Sequence, residues 1–185
     1  KVGDFVFNDC DGNGIQDPGE EPMMFLQVNL YHSNGVLAST TVTDADGKYL
    51  FEMLLPGDYY IEILAPYGFD FTLPNLGTSE ATDSDVTGNN GTGTTNIFTL
   101  SPGECDLDSG DAGLYECVYI GELVWFDTNE NNVWDATENG VNGLRVVLFR
   151  QMGDGSFIEW DSQYTGHKPG TPSDDGYFKF CAPPG

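Results

Sequence analysis

The sequence predicts an all-β chain, on three observations. β-Branched and aromatic residues gather in short runs such as Gln27-Val28-Asn29-Leu30-Tyr31 and Tyr59-Tyr60-Ile61-Glu62-Ile63, with the partial two-residue alternation of half-buried strands. Glycine, proline, asparagine and aspartate interrupt these runs at the roughly 8- to 12-residue spacing of a β-sandwich. No segment holds an apolar 3.6-residue period long enough for a substantial helix.

Taken in order, Phe5-Val6-Phe7 reads as the opening strand, followed by the runs at 27–31 and 59–63 and by strands around Phe71 and Phe98. Residues 78–95 are rich in Gly, Asn, Thr and Asp and predict a long surface loop. Residues 108–115 close a first unit, 116–119 make a very short junction, and Leu123-Val124-Trp125-Phe126 opens a second unit as another strand. The expected domains are therefore 1–116 and 117–185.

The two units are copies. Sliding the chain by 118 residues aligns residues 2–31 with 120–149 without a gap, and Gly3, Val6, Asp9, Asn13, Asp17, Glu20, Leu26, Val28 and Leu30 recur as Gly121, Val124, Asp127, Asn131, Asp135, Glu138, Leu144, Val146 and Leu148. After an insertion in the second copy, Asp46-Gly47 meets Asp175-Gly176 and Pro56-Gly57 meets Pro184-Gly185. The second copy is thus expected to be incomplete within these residues, its strands supplied by a continuing chain or by another subunit through β-augmentation. Continuation is the favoured expectation.

Composition narrows the partners. Six Lys and Arg against 30 Asp and Glu give a formal charge of −24, which repels nucleic-acid phosphates and anionic lipid heads. No apolar run approaches the ~20 residues that span a bilayer, and the start at Lys1 shows no signal-like segment, as expected of a mature product or an excised piece. Self-repulsion on this scale favours a structural role for bound cations. Cys10, Cys105, Cys117 and Cys181 have no CxxC spacing, and His32 and His167 stand alone, which argues against zinc. An even count fits an oxidising compartment. Three pairings are open, and the one that closes each repeat joins Cys10 to Cys105 and Cys117 to Cys181. Asn90-Gly91-Thr92 is a glycosylation sequon, a weak signal alone.

The acids have a spacing. Between Asp9 and Glu20, oxygen-bearing side chains occupy positions 1, 3, 5, 9 and 12 of a twelve-residue loop with glycine at position 6, the ligand pattern of a calcium loop. The candidate ligands are Asp9, Asp11, Asn13, the Ile15 carbonyl, Asp17 (directly or through a water) and Glu20. The second set is Asp127, Asn129, Asn131, the Val133 carbonyl, Asp135 and Glu138; with Asn129 in place of Asp11 it is expected to bind more weakly. Position 6 needs a positive φ, supplied by Gly14 and by Asn132. Each loop follows a strand-like segment, and the hydrophobic residue sits at position 7, so the loops are EF-hand-like but grafted onto β-modules.

These residues resemble the B-type repeats of serine-aspartate repeat surface proteins, relatives of the stalk domains of collagen-binding adhesins. The resemblance rests on the segments 2–9 and 120–127 running into the acidic loops, on 43–49, on 55–59 and on 109–115. It implies tandem immunoglobulin-like β-sandwich domains with calcium loops, the second domain incomplete, in a rigid extracellular stalk with Ca2+ as cofactor and no catalytic activity. It also implies further ions near Asp83 and Asp85, and near Asp44, Asp46, Asp108 and Asp111, for which a solvated turn is an equal alternative. Some adhesin stalks carry a lysine isopeptide bond, but no acid and amide pair can be assigned to Lys1.

The expected function is a calcium-stabilised structural module of a secreted or cell-surface protein, with neighbouring copies of the repeat as partners. One alternative is a ligand-binding adhesin region that meets a host or matrix ligand through Phe157, Trp160 and Tyr164 of the insert 151–172. Another is a filament subunit polymerising by strand donation. No nucleophile elbow, phosphate loop or paired histidines points to an enzyme.

Overall fold

The computed structural model describes residues 1–79, 81–103, 110–152, 155–170 and 175–184, which hold eleven strands and no helix. They form two compact units, Lys1–Cys117 with Pro183–Gly185 and Val118–Ala182.

The first unit is a sandwich. One sheet orders β3 (Leu37–Val42), β2 (Gln27–His32), β4 (Gly57–Ile63) and β6 (Phe98–Leu100); the other orders β1 (Val6–Asn8), β7 (Ala112–Glu116) and β5 (Phe69–Phe71). Alternation along β4 explains which face is buried: Tyr59, Ile61 and Ile63 point inward and are buried, while Tyr60 and Glu62 are partly exposed. Val28 and Leu30 of β2, Val6 of β1 and Leu114 of β7 complete the layer between the sheets. Each such side chain stabilises the fold by about 1.5–3 kcal/mol. β1 runs parallel to β7, with Val6 opposite Ala112, so the segment entering the acidic loop is locked to the last strand of the unit.

Residues 78–95 differ from the expected surface loop. Asp83, Ser84, Val86, Thr94 and Thr95 are buried, and bridges join Val86 to Thr95, Glu62 to Thr94 and Ile15 to Asp83. The polar composition misled because the main chain here bonds to other main chain, as Thr95 N does to Ile61 O at 3.0 Å, instead of to water.

The second unit pairs β8 (Val118–Ile120) with β11 (Phe180–Ala182), and β9 (Arg145–Gln151) with β10 (Phe157–Tyr164) across a bulge between Glu159 and Asp161. Leu123-Val124-Trp125-Phe126, expected as a strand, holds only isolated bridges from Leu123 to Tyr177 and from Trp125 to Gly140. The first copy's strand at this position exists because β7 lies alongside it, and no described segment of the second unit plays that part. For the same reason Val146 and Leu148 are half-buried where Val28 and Leu30 are fully so. The insert supplies β10, and its Phe157 and Tyr164 are 64% and 69% exposed, while Arg150 lies over the Trp160 ring at 4.9 Å.

The cysteine expectation is half corrected. Cys117 and Cys181 are both disulfide-bonded. Cys10 is an exposed free thiol, so the expected Cys10–Cys105 bond is not formed. Its position inside a loop wrapped on its own acids faces it outward. Cys105, like Asp108, lies outside the described residues.

Candidate metal centre

Each acidic loop is wrapped around its own carboxylates. Asp9, fully buried, accepts Asn13 N at 3.1 Å on Oδ1 and Gly14 N at 2.8 Å on Oδ2. Glu20 accepts Cys10 N at 2.8 Å and Asp17 N at 3.0 Å on its two oxygens, which ties position 12 back to position 2. Asn13 turns the chain by accepting Ile15 N at 2.7 Å. Gly14 holds the positive φ of 82° that position 6 requires, and an added Cβ would meet Leu73 O at 2.6 Å.

The second loop repeats this wiring bond for bond. Asp127 accepts Asn131 N at 3.1 Å and Asn132 N at 2.8 Å; Glu138 accepts Thr128 N at 2.8 Å and Asp135 N at 3.2 Å; Asn131 accepts Val133 N at 2.7 Å. Asn132 takes Gly14's place at a φ of 62°, which asparagine tolerates.

The first loop gathers three carboxylates. One oxygen each from Asp9, Asp11 and Glu20 lies within 4.8 Å of the others, an arrangement that can hold a metal ion. Burial raises the Glu20 pKa; Asp9 and Asp11 push it the same way against the Asp17 and Cys10 N–H donors, so the ring lacks positive charge. The Asn13 amide points its NH2 at Asp17, 2.8 Å away, and at Asp11, 3.2 Å away. In the second loop the amides of Asn129 and Asn131 both donate to Asp135, at 2.7 and 2.9 Å. These donors stand where a cation would satisfy the same carboxylates better, and hard oxygen donors suit calcium. The donor set therefore fits the ion.

The further acids separate. Asp44 and Asp46 lie in an exposed turn, where Asp44 accepts Asp46 N and Lys48 N at 2.9 Å. Asp85 and Asp111 come together with Asp4, which the sequence reading missed although Glu122 repeats its acidity in the second copy. Asp111 is 1% exposed, accepts Phe5 N at 3.1 Å on Oδ1, and meets the Asp4 carboxyl, with which it shares a proton. Burial first, then the Asp4 carboxyl, pushes its pKa up to about 9. Asp83, buried beside the first loop, keeps one oxygen unpaired. Asp4, Asp85 and Asp111 do not gather as tightly as Asp9, Asp11 and Glu20. Asn90 Nδ2 donates to Thr95 O at 3.0 Å.

The first unit is a β-sandwich with an acidic loop between its first two strands, and residues 1–114 match the family model described as the SdrD B-like domain. The chain belongs to this family. It is 38% identical over 154 residues, 83% of its length, to serine-aspartate repeat-containing protein F of Staphylococcus epidermidis, and 35% identical over 155 residues, again 83%, to serine-aspartate repeat-containing protein C of Staphylococcus aureus (strain Newman). It spans 9% and 15% of those relatives. The Bacillus anthracis TIE protein is similar over 97% of this chain and 26% of that one, at 14% identity and a TM-score of 0.41, too distant to carry weight. As a family member the chain is an extracellular module, secreted or at the cell surface. No helix among the described residues is long and apolar enough to cross a membrane.

Proposed function

We propose that the chain is a calcium-stabilised, non-enzymatic structural repeat of a stalk or filament. Calcium is held by Asp9, Asp11, Asn13, the Ile15 carbonyl, Asp17 and Glu20 in one loop. In the other it is held by Asp127, Asn129, Asn131, the Val133 carbonyl, Asp135 and Glu138. The observation that carries this reading is the identical wiring of the two loops, in which Glu20 and Glu138 each tie position 12 back to position 2. Asp4, Asp83, Asp85 and Asp111 are the acids left for further ions in the first unit, and the unpaired buried oxygen of Asp83 supports that role. At about a thousandfold excess over its dissociation constant, one ion adds roughly 4 kcal/mol to the folded state, comparable with a small domain's whole stability. The domains acting in this way are residues 1–116 and 117–185, with neighbouring repeats as partners. Isothermal titration of metal-free protein tests the proposal: saturable binding of at least two calcium ions per chain is expected, and heat no greater than dilution would overturn it.

A second reading has its own observation. Phe157 and Tyr164 stand exposed on β10 beside Trp160 instead of packing in a core, and aromatics in that setting contact peptides or sugars of a host or matrix. Binding to matrix preparations that disappears when Phe157 and Tyr164 are replaced by serine would favour this role; binding unchanged by the replacements would exclude it.

A further inference from the structure

The exit of each acidic loop is fastened by a buried threonine that the repeat pattern did not single out. Thr43, just beyond β3, donates its hydroxyl to Met23 O at 2.7 Å and accepts Leu26 N at 2.9 Å, while its main chain pairs with Leu26 O at 2.9 Å and Phe25 N at 3.0 Å. Thr165, just beyond β10, makes the same four bonds: Val141 O at 2.5 Å, Leu144 N at 3.0 Å, Leu144 O at 2.9 Å and Gly143 N at 2.8 Å. Both threonines are buried. One oxygen that donates and accepts at once is something serine and threonine supply and valine does not.

What the hydroxyl holds is a strained turn. Phe25 sits at a φ of 59° and its counterpart Gly143 at 79°; a phenylalanine in this left-handed region persists only where its surroundings fix it. Between the turn and the loop the main chain is tied to the entry segment at two points in both copies. Met23 N donates to Val6 O at 2.8 Å and Asn8 N to Glu21 O at 2.9 Å, with Val141 N to Val124 O at 2.8 Å and Phe126 N to Asn139 O at 3.1 Å as counterparts. Glu20 and Glu138, the position-12 carboxylates, each lie three residues ahead of the clamped carbonyl.

We propose that Thr43 and Thr165 are positioning residues for the ion loops: the clamped carbonyl sets where the position-12 carboxylate stands, so ion affinity depends on a hydroxyl that never touches the ion. This deepens the calcium reading above and rests on it. Groups that orient a ligand from behind typically change metal affinity by about 10- to 100-fold when removed.

Terbium serves as a luminescent probe for calcium. All three tryptophans, Trp125, Trp134 and Trp160, lie in the second copy and Trp134 is position 8 of its loop, so tryptophan-excited terbium emission reads that loop. Thr165→Val is expected to weaken terbium by about tenfold or more, Thr165→Ser to return within about twofold, and Leu148→Ala to lower stability without moving the affinity. Unaltered affinity in Thr165→Val, beside an unmodified chain that binds, overturns the clamp alone. An unmodified chain without saturable, calcium-competed emission overturns the ion reading and the clamp together. Thr43→Val carries the same comparison in the first loop by calorimetry, so a fold lost in one copy leaves the other to decide.

Discussion

Glu20 accepts the main-chain N–H of Cys10 at 2.8 Å, so the last residue of the first acidic loop closes on the second, and Glu138 does the same to Thr128 at the same distance. A carboxylate held by two N–H groups still has lone pairs left to accept further bonds. Replacing Glu20 with glutamine keeps the shape but removes the charge and one acceptor. The expected result of E20Q is the loss of one calcium equivalent by titration, with the second loop's isotherm unchanged.

The two loops differ at position 3, Asp11 in one and Asn129 in the other. One carboxylate fewer lowers calcium affinity. Titration of Asn129→Asp is therefore expected to tighten the second site by at least several-fold, and Asp11→Asn to loosen the first.

Gly47 sits at a φ of 74°, and a Cβ there would meet Val6 O at 2.6 Å, the carbonyl that also receives Met23 N. Gly176 repeats the position at 78° against Val124. Gly47→Ala strains the backbone and pushes the loop's entry from its exit, at a cost of about 1–3 kcal/mol. Denaturant titration should show a lower midpoint, and calcium should recover part of it.

Asp111 gives the metal-free chain a pH signature. Its folded pKa of about 9 lies far above the ordinary value near 3.8. The proton is therefore bound more tightly in the native state, and its contribution is complete below pH about 4 and lost as pH rises toward 9. In chelator, this group makes stability fall across that window, and Asp111→Asn flattens the slope. Denaturant unfolding between pH 4 and 9 measures it; a slope equal in both proteins would remove Asp111 as its source.

The loops, the repeat and the all-β class were legible because they are local: ligand spacing, a φ-tolerant residue at position 6 and strand periodicity all lie within short windows. What was hidden depends on distant pairings. Asp4 meets Asp111 across more than a hundred residues, and Thr43 reads as an ordinary strand residue until its hydroxyl is seen to hold Met23. Residues 78–95 looked like solvent-exposed linker because composition cannot tell a polar group bonded to water from one bonded to a β-bridge. Leu123-Val124-Trp125-Phe126 has strand propensity but lacks the neighbour that turned Val6–Asn8 into a strand, which shows sheet formation following pairing more than propensity.

Thermal unfolding of the chain in millimolar calcium and in excess chelator tests the central claim most directly. Ions clamping Asp9–Glu20 and Asp127–Glu138 should raise the midpoint in calcium by about 10 °C or more, as several kcal/mol on domains of this size would. Superimposable curves in the two buffers would contradict it.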